Sequence, residues 1–294
     1  MALVSKRLPE NAPGDFFVDS SCIDCDACRQ IAPATFHDIG DQSAVYTQPG
    51  TDDQVRRALM ALIACPTASI GTTGTTSKHN VKQAIQSFPE LIDENVYFCG
   101  FTSESSFGAW SYLVVRPPES GGNVLVDSPR YNAHLTNAIA AQGGLNLLFL
   151  THKDDVADHA KFARKFGSTR IMHGLDGAAS LGIERIICGA DPVRLDSDLI
   201  AIPTPGHTRG HMVLLYKEQF LFTGDHLSWS PERHQLRASR STCWYSWREQ
   251  TGSMRRLLDY DFEWVLPGHG RIHHAPKDQM HSYLEDCVAR MRDQ

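Results

Sequence analysis

The sequence predicts an α/β protein with two unequal domains in its 294 residues. Four of its eight cysteines lie before residue 66, whereas twelve of its fourteen histidines follow residue 80. The polar segment 71–78 separates these regions, and its turn-forming residues without apolar periodicity are typical of a linker. We therefore expect an N-terminal domain over residues 1–80, linker included, and a larger domain over residues 81–294.

In the larger region, short apolar runs alternate with patterns of helical period. Helices are expected over residues 131–141, 157–166, 247–258 and 277–290. Strands are expected over residues 96–101, 111–116, 123–126, 145–150, 185–188, 199–202, 211–216, 220–223 and 264–266. Helices that frame so many strands predict a layered α/β sandwich.

The composition excludes several classes of protein. Lysine and arginine number 28 against 34 aspartates and glutamates, so the formal net charge is −6. A general nucleic-acid binder would need a basic face, so we expect no nucleic-acid partner. No apolar run reaches the roughly 18–20 residues of a membrane span, and the first residues lack the apolar stretch of a secretory signal. We expect no membrane association and a cytoplasmic location, or the plastid stroma in a eukaryotic cell.

The early cysteines form a candidate cluster site. Cys22, Cys25 and Cys28 follow the spacing C-x2-C-x2-C, and Cys65 stands before a proline. Thiolates suit zinc or an iron–sulfur cluster. A zinc site usually pairs two C-x2-C motifs, and the second is absent, whereas three close cysteines with a distant Cys-Pro are typical of iron–sulfur binding. Zinc remains the alternative for this set.

This segment resembles the bacterial-type single-cluster ferredoxins over about residues 12–72. The hexapeptides Ile-Ala-Pro-Ala-Thr-Phe at residues 31–36 and Cys-Pro-Thr-Ala-Ser-Ile at residues 65–70 share in the similarity. The resemblance implies a ferredoxin-like α+β domain in which Cys22, Cys25, Cys28 and Cys65 bind one [4Fe–4S] cluster. It also implies electron transfer, with a redox partner protein as a candidate partner.

Polar groups in the larger region each follow a predicted strand. The main candidate ligands in these groups are, in chain order, His152, His207, Asp225 and His269. Such strand ends are where α/β sheets tend to place their sites. Imidazole and carboxylate ligands suit zinc, iron or manganese, and a carboxylate such as Asp225 can bridge two ions. The sequence therefore predicts one or two divalent metal ions bound by these groups.

These motifs resemble those of the metallo-β-lactamase superfamily, especially its hydroxyacylglutathione-hydrolase-like branch, over about residues 90–275. The resemblance implies an αββα sandwich. It implies that the first metal site is formed by His152, His207 and Asp225. It implies that the second is formed by Asp158, His159, Asp225 and His269. In many hydrolases of the superfamily, the residue that matches Asp158 also orients the attacking water, so Asp158 is the candidate catalytic residue.

One departure concerns the first motif, which in the superfamily usually reads His-x-His-x-Asp-His. Here five residues separate His152 from Asp158, and no second histidine lies between them. Asp154 stands two residues after His152, where the diiron members that reduce oxygen or nitric oxide also have a carboxylate. Either Asp154 completes the first site as a ligand, or that site is poorly occupied.

The segment between the last two motifs is basic and contains Arg233, His234, Arg237 and Arg240. The planar guanidinium group matches carboxylate and phosphate groups. These residues therefore either hold an anionic small-molecule substrate or form a solvated basic loop.

Three functions fit these features. The resemblance favours a metal-dependent hydrolase in which a metal-bound hydroxide attacks an ester- or thioester-like substrate, with a [4Fe–4S] electron-transfer domain attached. The alternative is a non-haem iron oxidoreductase or dioxygenase on the same fold, fed or regulated by the ferredoxin domain. His152, His207 and Asp225 form the two-histidine, one-carboxylate set of such iron enzymes. The third function is a non-enzymatic electron carrier whose second domain only docks or senses redox state.

Overall fold

The computed structural model describes residues 2–74 and 78–292, and the chain divides into two compact units. The first comprises Met1–Leu113 with Pro129–Gln142, and the second comprises Val114–Ser128 with Gly143–Gln294. The predicted linker over residues 71–78 includes residues 75–77, which lie outside the described residues. Residues 71 and 72 of that segment belong to a strand rather than to a linker.

The first unit is built from short strands and helices. In chain order they are β1 (Phe16–Val18), α1 (Ala27–Ile31), β2 (Phe36–Asp38), β3 (Ser43–Val45), α2 (Asp52–Ala64), β4 (Ile70–Thr72), α3 (Lys78–Gln86), β5 (Glu90–Asp93), β6 (Val96–Phe98), β7 (Tyr112–Val114), which reaches the unit boundary, and α4 (Ala133–Ala141). Antiparallel pairs join β1 to β4, β2 to β3 and β5 to β6. Helix α2 begins at a capping box, in which the Thr51 side chain accepts a hydrogen bond from the Gln54 backbone N–H.

The first unit extends beyond the domain boundary predicted at residue 80. Thr102 Oγ1 donates a hydrogen bond to the Ala64 carbonyl at the end of α2 (2.7 Å). Arg130 Nη2 donates to the neighbouring Ile63 carbonyl (3.1 Å). These bonds join residues distant in sequence to the C-terminal turn of α2. The division into compact units therefore differs from the predicted division at residue 80.

The second unit contains the longer strands. In chain order its elements are β8 (Val124–Val126), β9 (Leu147–Phe149), α5 (His159–Phe166), β10 (Thr169–His173), β11 (Arg185–Ile187), β12 (Val193–Arg194), β13 (Leu199–Pro203), β14 (Met212–Tyr216), β15 (Phe220–Gly224), β16 (Ser228–Ser230), β17 (Gln235–Arg237), α6 (Trp247–Arg256), β18 (Trp264–Pro267), β19 (His273–His274) and α7 (Lys277–Arg292). Helix α5 connects the parallel neighbours β9 and β10, as a helical crossover usually does.

Two sheets organise this unit. Strands β8, β9, β10 and β11 are adjacent in that order and all parallel. The other sheet has the order β12-β13-β14-β15-β18-β19, in which only the β15–β18 pair is parallel. The parallel pairing brings the C-terminal ends of β15 and β18 to the same edge, because both strands run in the same direction.

The core of the second sheet explains the position of the last two helices. Strands β14 and β15 are buried along their whole length. Leu215, Leu221 and Val265 from the sheet pack in one cluster with Met254 of α6 and Leu284 of α7. Burial of such side chains stabilises this layer by about 25 cal/mol per Å² of apolar surface removed from water.

The expected elements of the larger region are present, with small changes at their ends. All nine predicted strands and all four predicted helices have counterparts among the elements above. The elements not expected from the sequence are strands β5, β10, β12 and β19, the β16–β17 hairpin and helix α3. No helix in the described part of the chain is long and apolar enough to cross a membrane.

Candidate metal centres

Ligand side chains from four strand ends of the second unit meet around Asp225, which directly follows β15. Asp225 Oδ2 lies 3.7 Å from His152 Nε2, 3.6 Å from His207 Nε2 and 3.9 Å from His269 Nε2. These histidines follow β9, β13 and β18. One carboxylate within reach of three imidazoles is the arrangement that a bridging ligand requires.

Asp154 lies beside the same imidazoles. Its Oδ2 atom is 3.9 Å from His152 Nε2 and 3.6 Å from His207 Nε2. The three residues offer ligand atoms within 4.8 Å of one another, which is close enough to hold one ion. The nearby His207 imidazole is the main cause that lowers the pKa of Asp154. This geometry supports the first alternative for Asp154, in which it completes the first site.

Asp155 forms a second group that the sequence did not predict. Asp155, His152 and Asp225 also offer ligand atoms within 4.8 Å of one another, and Asp155 Oδ1 lies 4.0 Å from His269 Nε2. A Cβ atom at Gly268 would lie 2.7 Å from Asp155 Oδ2 and 2.9 Å from Asp225 Oδ1. Glycine at this position is therefore needed to leave room for both carboxylates.

The burial and hydrogen bonding of the ligand atoms show whether this set of residues fits metal ions. His152 Nε2, His207 Nε2, Asp155 Oδ2 and Asp225 Oδ1 are buried and have no hydrogen-bond partner among the described residues. Buried polar atoms without partners are costly and rare in native proteins. Divalent cations bound among these residues would supply partners for such atoms, and imidazole with carboxylate is a donor set that these cations take. The residues fit one or two divalent ions.

The ionisation of the site leads to the same conclusion. Burial lowers the pKa of His152 to about 4, so this imidazole is neutral and can bind a metal near pH 7. Burial, then the nearby charge of Asp225, raises the pKa of Asp155 well above its usual range. Burial also opposes ionisation of Asp225, but the imidazoles of His269, His152 and His207 outweigh it and lower its pKa. Two buried carboxylates side by side require a proton or a cation between them.

The predicted ligands Asp158 and His159 are not part of either group of close ligand atoms. Asp158 Oδ1 forms an ion pair with Lys161 Nζ at 2.7 Å. His159 Nδ1 lies 3.3 Å from Arg170 Nη1, which can only donate a hydrogen bond. A neutral His159 then carries its proton on Nε2 and offers no lone pair there. Asp158 and His159 therefore stay sequence-based predictions, and the close ligand atoms favour Asp155 beside Asp225.

Two residues orient the ring of His152. Thr151 Oγ1 lies 3.0 Å from His152 Nδ1, and 3.0 and 2.9 Å from the two carboxylate oxygens of Asp127. Burial raises the pKa of Asp127 to about 8, and in its ionised form Asp127 accepts from the Thr151 hydroxyl, which then accepts from the Nδ1–H of His152. The Nε2 lone pair of His152 then faces Asp225. Metal-binding histidines usually have such a partner on their other nitrogen.

His211 and His226 serve as supports for the ligands. His211 Nε2 accepts a hydrogen bond from the Asp225 backbone N–H (3.3 Å), and its Nδ1 lies 2.9 Å from Thr204 Oγ1. His226 Nε2 accepts one from the His207 backbone N–H (3.2 Å). Burial lowers the pKa of both well below the usual range, so they act as neutral acceptors.

Asp176 fixes both ligand loops, and the sequence alone gave no signal for it. Its carboxylate accepts hydrogen bonds from the Lys153 N–H (3.1 Å), Thr208 Oγ1 (2.6 Å) and the Gly210 N–H (2.6 Å). Lys153 lies next to His152, and Thr208 lies next to His207. A single buried carboxylate thus sets the position of one loop against the other.

The predicted cluster ligands are free thiols close enough to influence one another, namely Cys22, Cys25, Cys28 and Cys65. Backbone N–H groups of Ser43 and Ser69 donate to the sulfurs of Cys22 (3.4 Å) and Cys65 (3.3 Å). Burial raises the pKa of the Cys25 thiol to about 12 and raises that of Cys28 even further. Such buried thiols would stay protonated without metal, and iron binding would replace their protons. Four thiols with N–H donors directed at the sulfur fit an iron–sulfur cluster.

Gly108 lies against this cysteine set. It has a positive φ of +83°, and a Cβ there would lie 2.6 Å from Cys25 Cβ, 2.9 Å from Cys25 Sγ and 3.3 Å from Pro66 Cγ. Both the backbone conformation and the lack of space require glycine. The turn at Gly108 therefore covers one side of the cysteine site within the first unit.

Comparison with protein families and curated proteins agrees with this description. Residues 18–72 match the model of the 4Fe-4S single cluster domain of ferredoxin I. A hydroxyacylglutathione hydrolase from Chelativorans sp. (strain BNC1) is 34% identical over 120 residues, which are 39% of this chain and 47% of that protein. A second hydroxyacylglutathione hydrolase, from Fuscovulum blasticum, is 37% identical over 129 residues, which again cover 39% of this chain and 47% of that protein. The chain thus spans about half the length of these curated relatives.

Solved structures identify the fold of the larger part. The metallo-β-lactamase DIM-1, in a crystal exposed to ceftazidime, aligns with a TM-score of 0.51 at 17% identity, over 68% of this chain and 95% of that one. The metallo-β-lactamase VMB-1 aligns with a TM-score of 0.51 at 16% identity, over 69% and 95%. The predicted fold class, a ferredoxin-like domain followed by an αββα sandwich, is confirmed. The chain combines a ferredoxin-type [4Fe–4S] domain with a metallo-β-lactamase fold.

Proposed function

We propose that the chain is a metal-dependent hydrolase that acts on an ester- or thioester-like small molecule. The observation that carries the proposal is the convergence of the buried, unpartnered ligand atoms of His152, His207, Asp155 and Asp225. The two curated relatives named above are hydroxyacylglutathione hydrolases, which favours a thioester. Metal ions bound here would activate water and stabilise negative charge on the reacting group.

The exposure of the ligands indicates the side from which the substrate enters. The side chains of His152, His207 and Asp155 are at most 2% exposed, whereas those of Asp154 and His269 are 44% and 28% exposed. Among the buried members, the His152 ring is held from behind by its contact with Thr151 Oγ1. Asp154 and His269 face solvent, so the substrate approaches on their side.

Trp244 and Tyr245 lie at the rim of the site. Their backbone N–H groups both donate to the His207 carbonyl (3.0 and 3.1 Å). The Trp244 side chain is 67% exposed, and its ring lies 6.2 Å from that of His207. An exposed indole beside a ligand is a contact surface for an apolar part of the substrate. The Arg209 guanidinium lies over the Tyr245 ring at 5.3 Å and adds positive charge to this surface.

A second candidate function, a non-haem iron oxidoreductase, is favoured by Asp154. This carboxylate stands beside His152 and His207, where the usual superfamily motif has a third histidine. Two histidines with a carboxylate form the ligand set of non-haem Fe(II) oxygenases. The ferredoxin-type domain could supply electrons to such an iron.

Metal analysis combined with two assays tests these functions. The full chain is purified without oxygen, and iron and zinc are counted per chain. Hydrolysis of a hydroxyacylglutathione thioester and oxygen consumption with a persulfide are measured on the same sample. We expect four cluster irons, additional zinc or iron in the second unit, and thioester hydrolysis that Asp225→Asn abolishes. His281→Gln is the control, because His281 is exposed on α7 and remote in sequence from the motifs.

Each outcome decides between the two functions. Thioester hydrolysis without oxygen consumption supports the hydrolase. Oxygen consumption that requires iron beyond the cluster, without hydrolysis, supports the oxidoreductase and overturns the hydrolase. Absence of both reactions in a chain that retains its metals overturns both assignments for these two substrates.

A further inference from the structure

A cavity of about 590 Å³ lies in the second unit, away from the candidate metal ligands. The β16–β17 hairpin, residues 238–241 and the C-terminal part of α7 form its walls, and none of the candidate ligands lines it. Its charged lining residues are Arg233, Arg237, Arg240, Arg290 and Glu232. In a chain of formal net charge −6, this is a local concentration of positive charge.

One carboxylate offsets only part of this charge. A hydrogen bond from its own backbone N–H, and a further one from Ser230 Oγ (3.1 Å), keep the pKa of Glu232 below its usual range. Glu232 is therefore ionised near pH 7. Four guanidinium groups against one carboxylate leave an excess of three positive charges around the cavity.

The arginine side chains differ in whether they form hydrogen bonds within the protein. Arg290 Nη2 donates to the Leu236 carbonyl (2.9 Å), which holds this guanidinium against the hairpin. The side chains of Arg233 and Arg237 are exposed and form no hydrogen bond or ion pair with another described residue, although the charge of Arg237 helps to keep Glu232 ionised. Their N–H groups remain available to a ligand.

The chemistry of the lining narrows the class of ligand. Each guanidinium carries five N–H donors in a planar fork, and hydroxyl groups of Ser239 and Ser241 lie in the same wall. A phosphate monoester, with three acceptor oxygens and about two negative charges, matches two guanidinium groups better than a carboxylate with two oxygens and one charge. The half-buried Ala238 and the edge of Met291 are the apolar part of the lining that a carbon skeleton could contact.

We propose that this cavity binds a small organic phosphate monoester, with Arg233 and Arg237 on the phosphate and the carbon skeleton against Ala238 and Met291. The volume lies within the roughly 300–1,000 Å³ of ordinary small-molecule sites. The proposal rests on the cavity alone and does not depend on the reaction at the metal centre.

Calorimetric titration of the full chain, purified without oxygen, tests the proposal. Phenyl phosphate is the probe, and benzoate is the carboxylate probe with the same ring. The test variant is Arg233→Gln with Arg237→Gln. Its matched control is Arg164→Gln with Arg255→Gln, which removes the same charge from two exposed arginines on α5 and α6. Metal content and circular dichroism verify that both variants fold.

We expect one phenyl phosphate to bind per chain. Its affinity should fall at least tenfold in the test variant and stay unchanged in the control. Benzoate should bind at least fivefold more weakly than phenyl phosphate to the unmodified chain. Binding of phenyl phosphate that persists in the test variant would locate the anion elsewhere, including the metal centre, and would overturn the site. Equal affinities for the two probes would overturn the choice of phosphate, and so would equal loss in the control.

Discussion

Thr208 is one residue after the candidate ligand His207, and its hydroxyl donates a hydrogen bond of 2.6 Å to Oδ2 of Asp176. The same carboxylate accepts the Lys153 and Gly210 N–H groups. Because the contacts hold the two ligand loops together, the spacing between His152 and His207 depends on a residue that touches neither imidazole.

Asp176→Asn should therefore lower the affinity of the second unit for its metal. The amide keeps the shape of the side chain but replaces one acceptor oxygen with a donor, so at least one of the short bonds is lost. Loss of such supporting contacts typically lowers metal affinity 10–100-fold. The measurement is zinc or iron retained after competition with a chelator. Asp191→Asn, an exposed aspartate in the same unit, is the control, and equal retention in both variants would refute the role of Asp176.

A second prediction concerns the partner of His152. Thr151→Val keeps the branched shape of the side chain and removes the hydroxyl that contacts both His152 Nδ1 and Asp127. Without it, nothing favours the tautomer whose Nε2 lone pair faces the metal, and we expect metal affinity to fall by about tenfold or more. Thr151→Ser restores a hydroxyl and should recover most of the loss. Equal affinity of the valine and serine variants would show that this hydrogen bond is not needed.

The lack of room for a side chain at Gly108 leads to a prediction about the cysteine site. Gly108→Ala would place a Cβ atom 2.9 Å from Cys25 Sγ, closer than real Cβ atoms approach. We expect loss of visible absorbance and of cluster iron. Gly40→Ala is a matched control, because Gly40 also has a positive φ (+107°) in the first unit but has no atom within 4 Å of its Cβ position. Equal cluster loss in both variants would assign the effect to backbone strain rather than to contact with Cys25.

Spacing patterns predicted the ligands that directly follow buried strands. His152, His207, Asp225 and His269 could be found because each polar residue ends an apolar run, and such ends meet at one edge of a sheet. The family motif directed attention to Asp158 and His159. Asp155 was missed because it stands outside that pattern, and only the folded backbone places it beside Asp225.

Other parts of the structure had no local signal. Asp176 lies 23 residues from Lys153 and 34 from Gly210, so its role arises only from tertiary contacts. Each strand of the β16–β17 hairpin has three residues with a single apolar one, which is too short for the alternation of residues to indicate a strand. The extent of the first unit also depends on tertiary hydrogen bonds such as that from Thr102 to Ala64. A change in composition along the sequence does not reveal such bonds.

The exposed indole at the site rim leads to a prediction about substrate affinity. Trp244→Ala removes contact area but no ligand, so we expect KM to rise several-fold while kcat changes little, as for a residue that binds ground and transition states equally. Trp244→Phe should keep a KM close to that of the unmodified chain. Kinetics with the thioester substrate measure both constants. A fall in kcat at unchanged KM would show instead that Trp244 supports His207.

The last prediction uses Asp154 to separate the two proposed functions. Asp154→His supplies the third imidazole that the usual motif has, and the 44% exposure of Asp154 leaves room for the larger ring. Replacing a carboxylate by an imidazole removes a negative charge from the first site and makes its donor set more favourable to zinc. We expect the ratio of zinc to non-cluster iron to rise in protein purified from the same medium, and thioester hydrolysis to persist. Asp154→Asn is the control, because it removes the charge without adding a strong ligand and should lower the occupancy of either metal. An unchanged metal ratio and occupancy in both variants would exclude Asp154 from the ligand set, and with it the observation that favours the iron oxidoreductase.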